Sequence, residues 1–322
     1  MPHTFLAAFM LLQSGVLQSE TPLESIQSRS LCKIGDSLGQ MDVISDGNDG
    51  ISIRIITEHP KLAYEGLNRL FFLGKPPGIT EVRLVKPKPQ LTLIVDDLGL
   101  HPAQVTRFWE LKQPLTWAIL PNQKWTERYA HWLKQRFASI LVHVPMEPEK
   151  AGHMTLEGYL TTNQSPQKQL SLFGQHLTSI PGAIGFNNHM GSRLTSDSLS
   201  MAVLLRAVPR SWVVLDSRTS GKSQLARLAR SRFPTAERTH FLDNDRSEDA
   251  IFTQLEHALA EAITNGKAVA IGHTYPETTR AIKRFLKLHG NRINVVPIER
   301  LSTPVAAPAW MRRCPPQLQA RR

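Results

Sequence analysis

From residue 91 onward, the chain alternates short apolar runs with segments whose apolar residues recur every three or four positions. Such runs predict buried strands, and the spacing between them predicts amphipathic helices. The eight predicted strands, most of which begin about 24 to 29 residues apart, cover residues 91–96, 115–120, 139–144, 183–187, 212–216, 240–243, 268–272 and 293–296.

This interval is typical of strand–helix units in a parallel sheet. Seven or eight units in one sheet predict a closed or nearly closed barrel. A doubly wound open sheet is the alternative. However, no G-x-G-x-x-G follows the first run, and the D-D-L-G turn at 96–99 would bring negative charge to a phosphate site. We therefore predict an α/β fold, a deformed (β/α) barrel, over residues 91–303.

Helix boundaries are marked by capping residues and by glycine and proline. Ser247, which is followed by two acidic residues, and Pro276 predict helix starts. Gly266 and Gly290 stand where helices are expected to end.

Residues 5–12 form an apolar run that is too short to span a bilayer but suits the core of a signal peptide. We expect residues 1–20 to be a signal peptide of a periplasmic or secreted protein without a stable transmembrane segment. The signal is weak, because only His3 could be basic before the run and no clean A-x-A site follows. An N-terminal amphipathic or core helix is the alternative.

Between this run and the predicted barrel, residues 21–90 predict a small α/β appendage. Residues 18–50 are rich in polar residues and predict a flexible segment. Residues 51–56 and 79–85 predict strands on either side of a helix-compatible stretch at 63–73, and K-P-K-P at 86–89 predicts an extended linker. At the other end, residues 304–322 lack periodicity and predict a disordered basic tail.

Composition narrows the class of partner. The 322 residues are 41% hydrophobic and 20% charged, with a formal net charge of +11. Like charges do not form long runs, and no basic stripe alternates with aromatic residues, so we predict no nucleic-acid partner. Attraction to anionic polymers or membrane surfaces fits the charge equally well. Cys32 and Cys314 form no metal-type C-x-x-C pair.

Two adjacent carboxylates, Asp96 and Asp97, close the first predicted strand and precede the turn at Gly99. Parallel α/β folds collect their chemistry at this end of the strands. Because successive side chains of a strand point to opposite faces, we expect the two carboxylates to be aimed differently. One could then bind a cation while the other accepts a proton.

Three histidines, His143, His189 and His273, stand at the ends of other predicted strands. Each alone is explained more simply as a packed structural histidine, but a barrel would bring all three to one rim with the aspartates. Two histidines and one aspartate suit a divalent ion such as zinc and leave a position open for water. Such an ion makes water a source of hydroxide, and the remaining Asp and His would act as general base and acid.

Six motifs occur in a characteristic order: I-V-D-D-L-G, H-V-P-M-E-P, N-N-H-M-G-S-R, L-D-S-R-T-S, F-L-D-N-D and A-I-G-H-T-Y-P-E-T. The set resembles the divergent polysaccharide deacetylase family of NodB-like carbohydrate esterases over about residues 91–300. The resemblance implies a deformed (β/α) barrel, one divalent metal ion and an exported protein. It also implies an acylated envelope polysaccharide or a peptidoglycan-like substrate.

Matched residue by residue, the resemblance implies that Asp96 is the base, Asp97 a metal ligand and His273 the acid. The usual H-x-x-x-H metal motif corresponds to residues 143–147, with Glu147 in place of the second histidine. His189 could replace the missing ligand. The expected metal ligands are therefore Asp97, His143 and His189.

Further polar residues near these motifs are candidates for binding or orienting the substrate: Glu147, Asn188, Ser192, Arg193, Asp216 and Arg218. Structural roles compete, because Asn188 and Ser192 could cap or turn the chain and the two arginines could pair with Asp216 or Asp243. We interpret residues 243–245 as a loop that leads into a helix cap.

Together these features predict an exported, metal-dependent hydrolase that removes acyl groups from an envelope glycan. A catalytically inactive glycan-binding or regulatory protein on the same fold is the alternative, because several family motifs are altered. An amidase that acts on peptide cross-links is a third possibility.

Overall fold

The computed structural model describes residues 26–34, 37–45, 51–56, 79–85, 88–102, 104–153 and 155–302. The chain divides into two compact units, the second of which covers Lys88–Val305. The predicted signal peptide, the helix-compatible stretch at 63–73 and the basic tail lie outside the described residues.

The first unit contains a four-stranded sheet in the order β1-β2-β3-β4. Its strands are β1 (Ile26–Ile34), β2 (Ser37–Ser45), β3 (Ile51–Ile56) and β4 (Ile79–Val85). Neighbours pair antiparallel except β3 and β4, which are parallel. The strands predicted at 51–56 and 79–85 are confirmed.

The expectation of a flexible segment over 18–50 is wrong for β1 and β2, which pair from Ile26 to Ile34 with one register shift between Ile26 and Ser28. Backbone hydrogen bonds hold such a ladder, so polar side chains do not prevent it. The sequence did contain a signal for this pairing, because a Gly-Asp dipeptide between two extended segments is typical of a two-residue hairpin connection.

The second unit is built on a parallel sheet in the order β10-β9-β8-β7-β6-β5-β12-β11. The strands are β5 (Gln90–Leu98), β6 (Thr116–Ile119), β7 (Ser139–Met146), β8 (Gly185–Met190), β9 (Val213–Asp216), β10 (Thr235–Glu237), β11 (His240–Phe241), β12 (Lys267–His273) and β13 (Asn294–Val295). The last of these pairs with the first two residues of β5.

Helices connect the strands. They are α1 (Gln104–Trp109), α2 (Thr126–Lys134), α3 (Pro166–Thr178), α4 (Ser198–Leu204), α5 (Leu225–Ala229), α6 (Glu248–Asn265), α7 (Pro276–His289) and α8 (Ile298–Leu301). As predicted, Ser247 caps α6 by accepting the backbone N–H of Ala250, and Gly266 ends it with a left-handed φ of 79°. Among the described residues, no helix combines the length and the apolar character needed to cross a membrane.

One short segment closes the sheet on itself. β10 and β11 stand at opposite ends of the strand order, yet only Arg238 and Thr239 separate them in the chain. The segment therefore pairs with β9 through its first part and with β12 through its last part. The predicted deformed (β/α) barrel is confirmed. β10 escaped prediction because its residues, Thr-Ala-Glu after a proline, form no apolar run.

Apolar side chains form two layers, one on each side of the curved sheet. One layer includes Ile94, Leu141 and Ile271 and fills the barrel, whereas the other includes Leu93 and Val142 and lies under the helices. Side chains alternate between the two layers along each strand. Two residues further along β5, β7 and β12, the barrel-facing positions are therefore polar, and they form the rim of the barrel.

Candidate active site

Asp96 and Asp97 are placed by an irregular end of β5. The pairing of β5 with β6 shifts register between Val95 and Leu98, and Asp97 has a φ of 61°. A bulge with a left-handed residue breaks the strict alternation of side chains. Both carboxylates therefore approach the His143 Nε2 atom, with oxygens at 3.5 and 3.2 Å. The expectation that they point to opposite faces is wrong for this reason.

Three atoms form a compact triangle at the rim. Asp97 Oδ1 lies 3.2 Å from His143 Nε2 and 2.9 Å from His189 Nδ1, and the two ring nitrogens are 3.2 Å apart. Ligand atoms about 2.0 Å from a tetrahedral zinc ion are about 3.3 Å from one another. The edges of the triangle are close to that separation, so the three residues have the spacing of a metal site.

Asn187 fixes which ring nitrogen of His143 can face a cation. The Asn187 Nδ2 atom donates to both oxygens of Asp96, at 3.0 and 3.2 Å, and to Ser217 Oγ at 3.1 Å. Its Oδ1 atom therefore faces His143 Nδ1, at 2.9 Å, and accepts the Nδ1 proton. This leaves the Nε2 lone pair directed at Asp97, whose Oδ1 is buried without a hydrogen-bond partner among the described residues.

An unsatisfied carboxylate oxygen beside a ring nitrogen with a free lone pair is costly unless a proton or a cation lies between them. Carboxylate and imidazole are also ligand types that divalent transition metals accept. The residues present therefore fit a divalent ion.

Burial and the neighbouring charges shift the pKa values in opposite directions. Burial would raise the pKa of Asp97, but the imidazoles of His143 and His189 hold it well below its usual range. For Asp96, burial prevails and raises the pKa despite the charges of His143 and His273. Burial would lower the pKa of His143, but the two aspartates raise it.

His273 ends β12 and is the direct register partner of Asp96 on β5. Its Nδ1 atom donates to Asp243 Oδ1 at 2.9 Å, so its Nε2 atom faces the cluster, 3.7 Å from Asp97 Oδ2. Burial would lower the pKa of His273, but the hydrogen bond to Asp243 and the charge of Asp97 raise it to about 9. His273 is therefore poised to hold a proton at Nε2.

Asp243 is itself held firmly in place. It accepts the backbone N–H of His273 and the Thr278 hydroxyl, at 2.6 and 2.7 Å. Gly272 makes room for this arrangement, because a Cβ there would lie 2.9 Å from Thr278 Cγ2 and 3.3 Å from Asp243 Oδ2.

Glu147 does not join the triangle. Its Oε2 atom accepts the N–H and the hydroxyl of Thr162, and its Oε1 atom lies 3.5 Å from the Arg193 guanidinium. The Ser192 hydroxyl accepts the N–H of Glu149. These residues hold together the segments that follow β7 and β8.

Asn188 and Asp216 also make internal contacts. The Asn188 side chain accepts the N–H of Ser217 and donates to Met190 O, so it turns the chain after β8. Asp216 is fully buried and accepts the Ser223 hydroxyl at 2.7 Å.

The arginines pair with glutamates. Arg218 contacts Glu237 at 3.0 Å, and Arg193 contacts Glu147. The alternative in which these guanidinium groups pair with Asp216 or Asp243 is wrong. Backbone and hydroxyl donors already satisfy Asp216, and Asp243 accepts the Nδ1 proton of His273.

Sequence reasoning missed Asn187 and underestimated Asp243. Asn187 stands two residues before His189, so the alternation rule puts both on the barrel-facing side of β8. Asp243 was interpreted as part of a loop, yet it closes a predicted strand and lies on the same rim as His273. The interpretation of residues 244–245 agrees with the structure, in which Asp245 accepts the N–H of the helix cap Ser247.

The fold and this rim define the class: a deformed (β/α) barrel with carboxylates and histidines gathered at the C-terminal ends of its strands. Residues 93–302 match the sequence model of the divergent polysaccharide deacetylase family. The chain belongs to that family.

Two bacterial relatives match about three fifths of the chain. The chain is 28% identical over 199 residues to the uncharacterised protein YibQ of Escherichia coli strain K12, a match that covers 61% of this chain and 62% of the relative. It is 29% identical over 200 residues to an uncharacterised Haemophilus influenzae protein, covering 62% and 71% of the two chains. The match thus spans less than two thirds of the Escherichia coli relative's own length.

A solved structure shares the fold. The uncharacterised protein ATU2773 from Agrobacterium tumefaciens C58 superimposes with a TM-score of 0.62 at 20% identity. The superposition covers 66% of this chain and 89% of the other.

Proposed function

We propose that this protein is a metal-dependent hydrolase that removes acyl groups from an envelope glycan. The observation that carries the proposal is the triangle of Asp97, His143 and His189, with Asp96 Oδ2 3.5 Å from His143 Nε2 and His273 Nε2 3.7 Å from Asp97 Oδ2. Metal ligands, a buried carboxylate and a histidine that can hold a proton are the parts that hydrolysis of an acyl bond requires.

Asp97, His143 and His189 would hold one divalent ion, for which zinc is the best candidate because the donor set mixes two imidazoles with one carboxylate. When bound, such an ion supplies Lewis acidity, which polarises a carbonyl and lowers the pKa of water.

The chain's own residues supply the proton transfers. Asp96, held by Asn187 at the rim, accepts a proton from the attacking water. His273 delivers the proton at Nε2 to the leaving nitrogen or oxygen as its bond to the acyl carbon breaks. The products are a carboxylic acid and a sugar with a free amine or hydroxyl. Asp243 orients the imidazole throughout.

Membership of the divergent polysaccharide deacetylase family supports an acylated polysaccharide, including a peptidoglycan-like one, as the substrate. Amide and ester carbonyls need the same proton transfers, so the arrangement of Asp96 and His273 suits both N-linked and O-linked acyl groups.

The test uses the full chain. Purified protein is analysed for bound metal, stripped with a chelator and reloaded with zinc, and acyl release from acetylated glycan strands is measured for the wild type and for Asp96→Asn. The proposal expects about one ion per chain and release that requires both zinc and Asp96. Zinc-loaded protein that binds the strands without releasing acid would instead establish an inactive glycan-binding protein. Cleavage confined to peptide cross-links would establish an amidase.

We also propose that the protein works outside the cytoplasm, because the apolar run at 5–12 followed by a polar segment is typical of a signal peptide. N-terminal sequencing of protein recovered from the cell envelope should find a chain that begins after this run. An intact Met1 on a cytoplasmic protein would refute the export.

A further inference from the structure

A cavity lies beside the loops that follow β5 and β6. It has a volume of about 280 Å³ and is lined by Pro102, Val105, Trp125, Arg128, Tyr129 and Trp132. Trp125, Tyr129 and Trp132 follow one another at intervals of four and three residues around α2, so their rings share one face of the helix. The volume is near the lower limit of small-molecule pockets, about 300 Å³, and therefore suits a single ring.

The aromatic walls of this cavity are held in position before any ligand arrives. The Tyr129 hydroxyl donates to His101 O at 2.6 Å, and the backbone N–H of Trp125 donates to Gly99 O at 3.0 Å. Trp132 packs edge-on against Trp109, with the ring centroids 4.8 Å apart. A cavity built in this way loses little conformational entropy on binding.

Two cationic side chains lie beside the Trp125 ring. The Arg128 guanidinium lies 5.4 Å and the Lys124 amine 5.8 Å from the centre of the Trp125 ring. Neither cation forms an ion pair with a carboxylate among the described residues. The cavity therefore combines apolar ring faces with positive charge that is free to meet an anion.

The position of the cavity connects it with the candidate active site. Gly99, whose carbonyl anchors Trp125, follows Asp97 by two residues. Both loops leave the C-terminal ends of their strands, and this end of the barrel also carries the triangle of Asp97, His143 and His189. The part of the cavity formed by these loops therefore lies at the same end of the barrel as the triangle.

We propose that this cavity binds one sugar ring of an anionic glycan, at a distance from the acyl group that is removed. The apolar C–H face of a pyranose packs against the Trp125 and Trp132 side of the cavity, and a carboxylate on the same sugar or its neighbour pairs with Arg128. The inference rests on the proposed function in that it takes the ligand to be the glycan substrate.

The test measures binding to full-length protein by isothermal titration calorimetry. The anionic probe is peptide-free peptidoglycan glycan strands, whose alternate sugars carry a carboxylate, and the neutral probe is an N-acetylglucosamine hexamer. Trp125→Ala should weaken the binding of both probes about tenfold or more. Arg128→Gln should weaken only the binding of the anionic strands.

Matched controls are Phe137→Ala, which removes a 97% exposed aromatic ring outside the cavity, and Arg206→Gln, which removes an exposed cation outside it. Both should bind like the wild type. Melting temperatures check folding, and Trp125→Phe, which keeps a ring, should retain most of the affinity if Trp125→Ala is unstable.

Hydrolysis of a small chromogenic acetyl ester separates this inference from the proposed function, because such a substrate does not reach the cavity. Unchanged ester hydrolysis with weakened strand binding in Trp125→Ala supports the cavity as a glycan site. Wild-type strand affinity in Trp125→Ala and Arg128→Gln overturns the inference and leaves the proposed function standing. An inactive wild-type enzyme that still loses strand binding in Trp125→Ala overturns the proposed function alone.

Discussion

Asp97 occupies a backbone conformation that residues other than glycine adopt rarely, and Met190 and Arg218 do the same near the ends of β8 and β9. Such conformations cost free energy and persist where the surrounding structure imposes them. At Asp97 the result is that two consecutive carboxylates reach one cluster. The strain therefore accounts for a site that regular strand geometry would not form.

The proposed ligands can be tested one by one. Asp97→Ala and His189→Ala should each abolish stoichiometric zinc binding under conditions that saturate the wild type, because two remaining ligands hold the ion poorly. Calorimetry and metal analysis measure this. His131→Ala, which changes an exposed histidine of α2, serves as the control. Full occupancy in both ligand variants would disprove the assignment.

Asp96 and His273, the proposed base and acid, should affect the rate of hydrolysis and leave zinc binding unchanged. Asp96→Asn and His273→Ala should each lower kcat by about 10²–10⁴-fold, the usual contribution of a general acid or base, while the zinc content stays unchanged. Thermal melts distinguish this from a structural role, in which the melting temperature would fall without a specific rate loss. Wild-type rates in both variants would remove the pair from the mechanism.

Asn187 should act through the residues that it orients. Asn187→Leu removes its hydrogen bonds to Asp96 and His143, and loss of such outer contacts typically lowers metal affinity by about 10–100-fold. Asn265→Leu, which changes an exposed asparagine at the end of α6, is the matched control. Equal zinc affinities in the two variants would show that Asn187 does not position the ligand.

Among the secondary-structure elements, the strands that carry the site were predictable because each contains a long apolar run. β5, β7 and β12 were found within a few residues of their observed ends. β10 was not found, because it is short and polar, and its pairing with β9 holds it in the sheet. Within the site, alternation along β8 places Asn187 on the face of His189, but no local pattern shows that its side chain reaches both Asp96 and His143.

The N-cap of α6, Ser247, provides a test at the level of a single helix. Ser247→Ala should lower the free energy of unfolding by about 1 kcal/mol, because the side chain that accepts the Ala250 N–H is lost. Thr253→Ala on the same helix, whose hydroxyl bonds back to Asp249 O on the exposed face, should have little effect. Urea denaturation of both variants measures the difference.

For the molecule as a whole, a buried histidine should make stability depend on pH. His176 on α3 is 1% exposed, and burial lowers its pKa below the ordinary 6.5. The unfolded chain then binds a proton more readily than the folded one. The contribution of His176 to the free energy of unfolding is therefore fully present above about pH 6.5, and it is lost as the pH falls towards the lowered pKa of the folded state.

His176→Gln should reduce this loss, because its amide can still donate to Gly158 O but does not titrate. Denaturation at pH 7.5 and at pH 5.5 should show a smaller drop in stability for the variant than for the wild type. His153→Gln, which changes an exposed histidine, should behave like the wild type. An equal drop in all three proteins would contradict the role of His176.

The pairing of β5 with β12 has a consequence for the way the protein is made. β5 leaves the ribosome early, yet one of its edges has no permanent neighbour until β12 has been synthesised. Until then, the nascent chain exposes an apolar strand with an unpaired edge, and such an edge can pair with strands of other chains. Asp96 and His273 become neighbours only when this last pairing forms. An unfinished chain can therefore gather the three proposed ligands, but it cannot yet bring the acid beside the base.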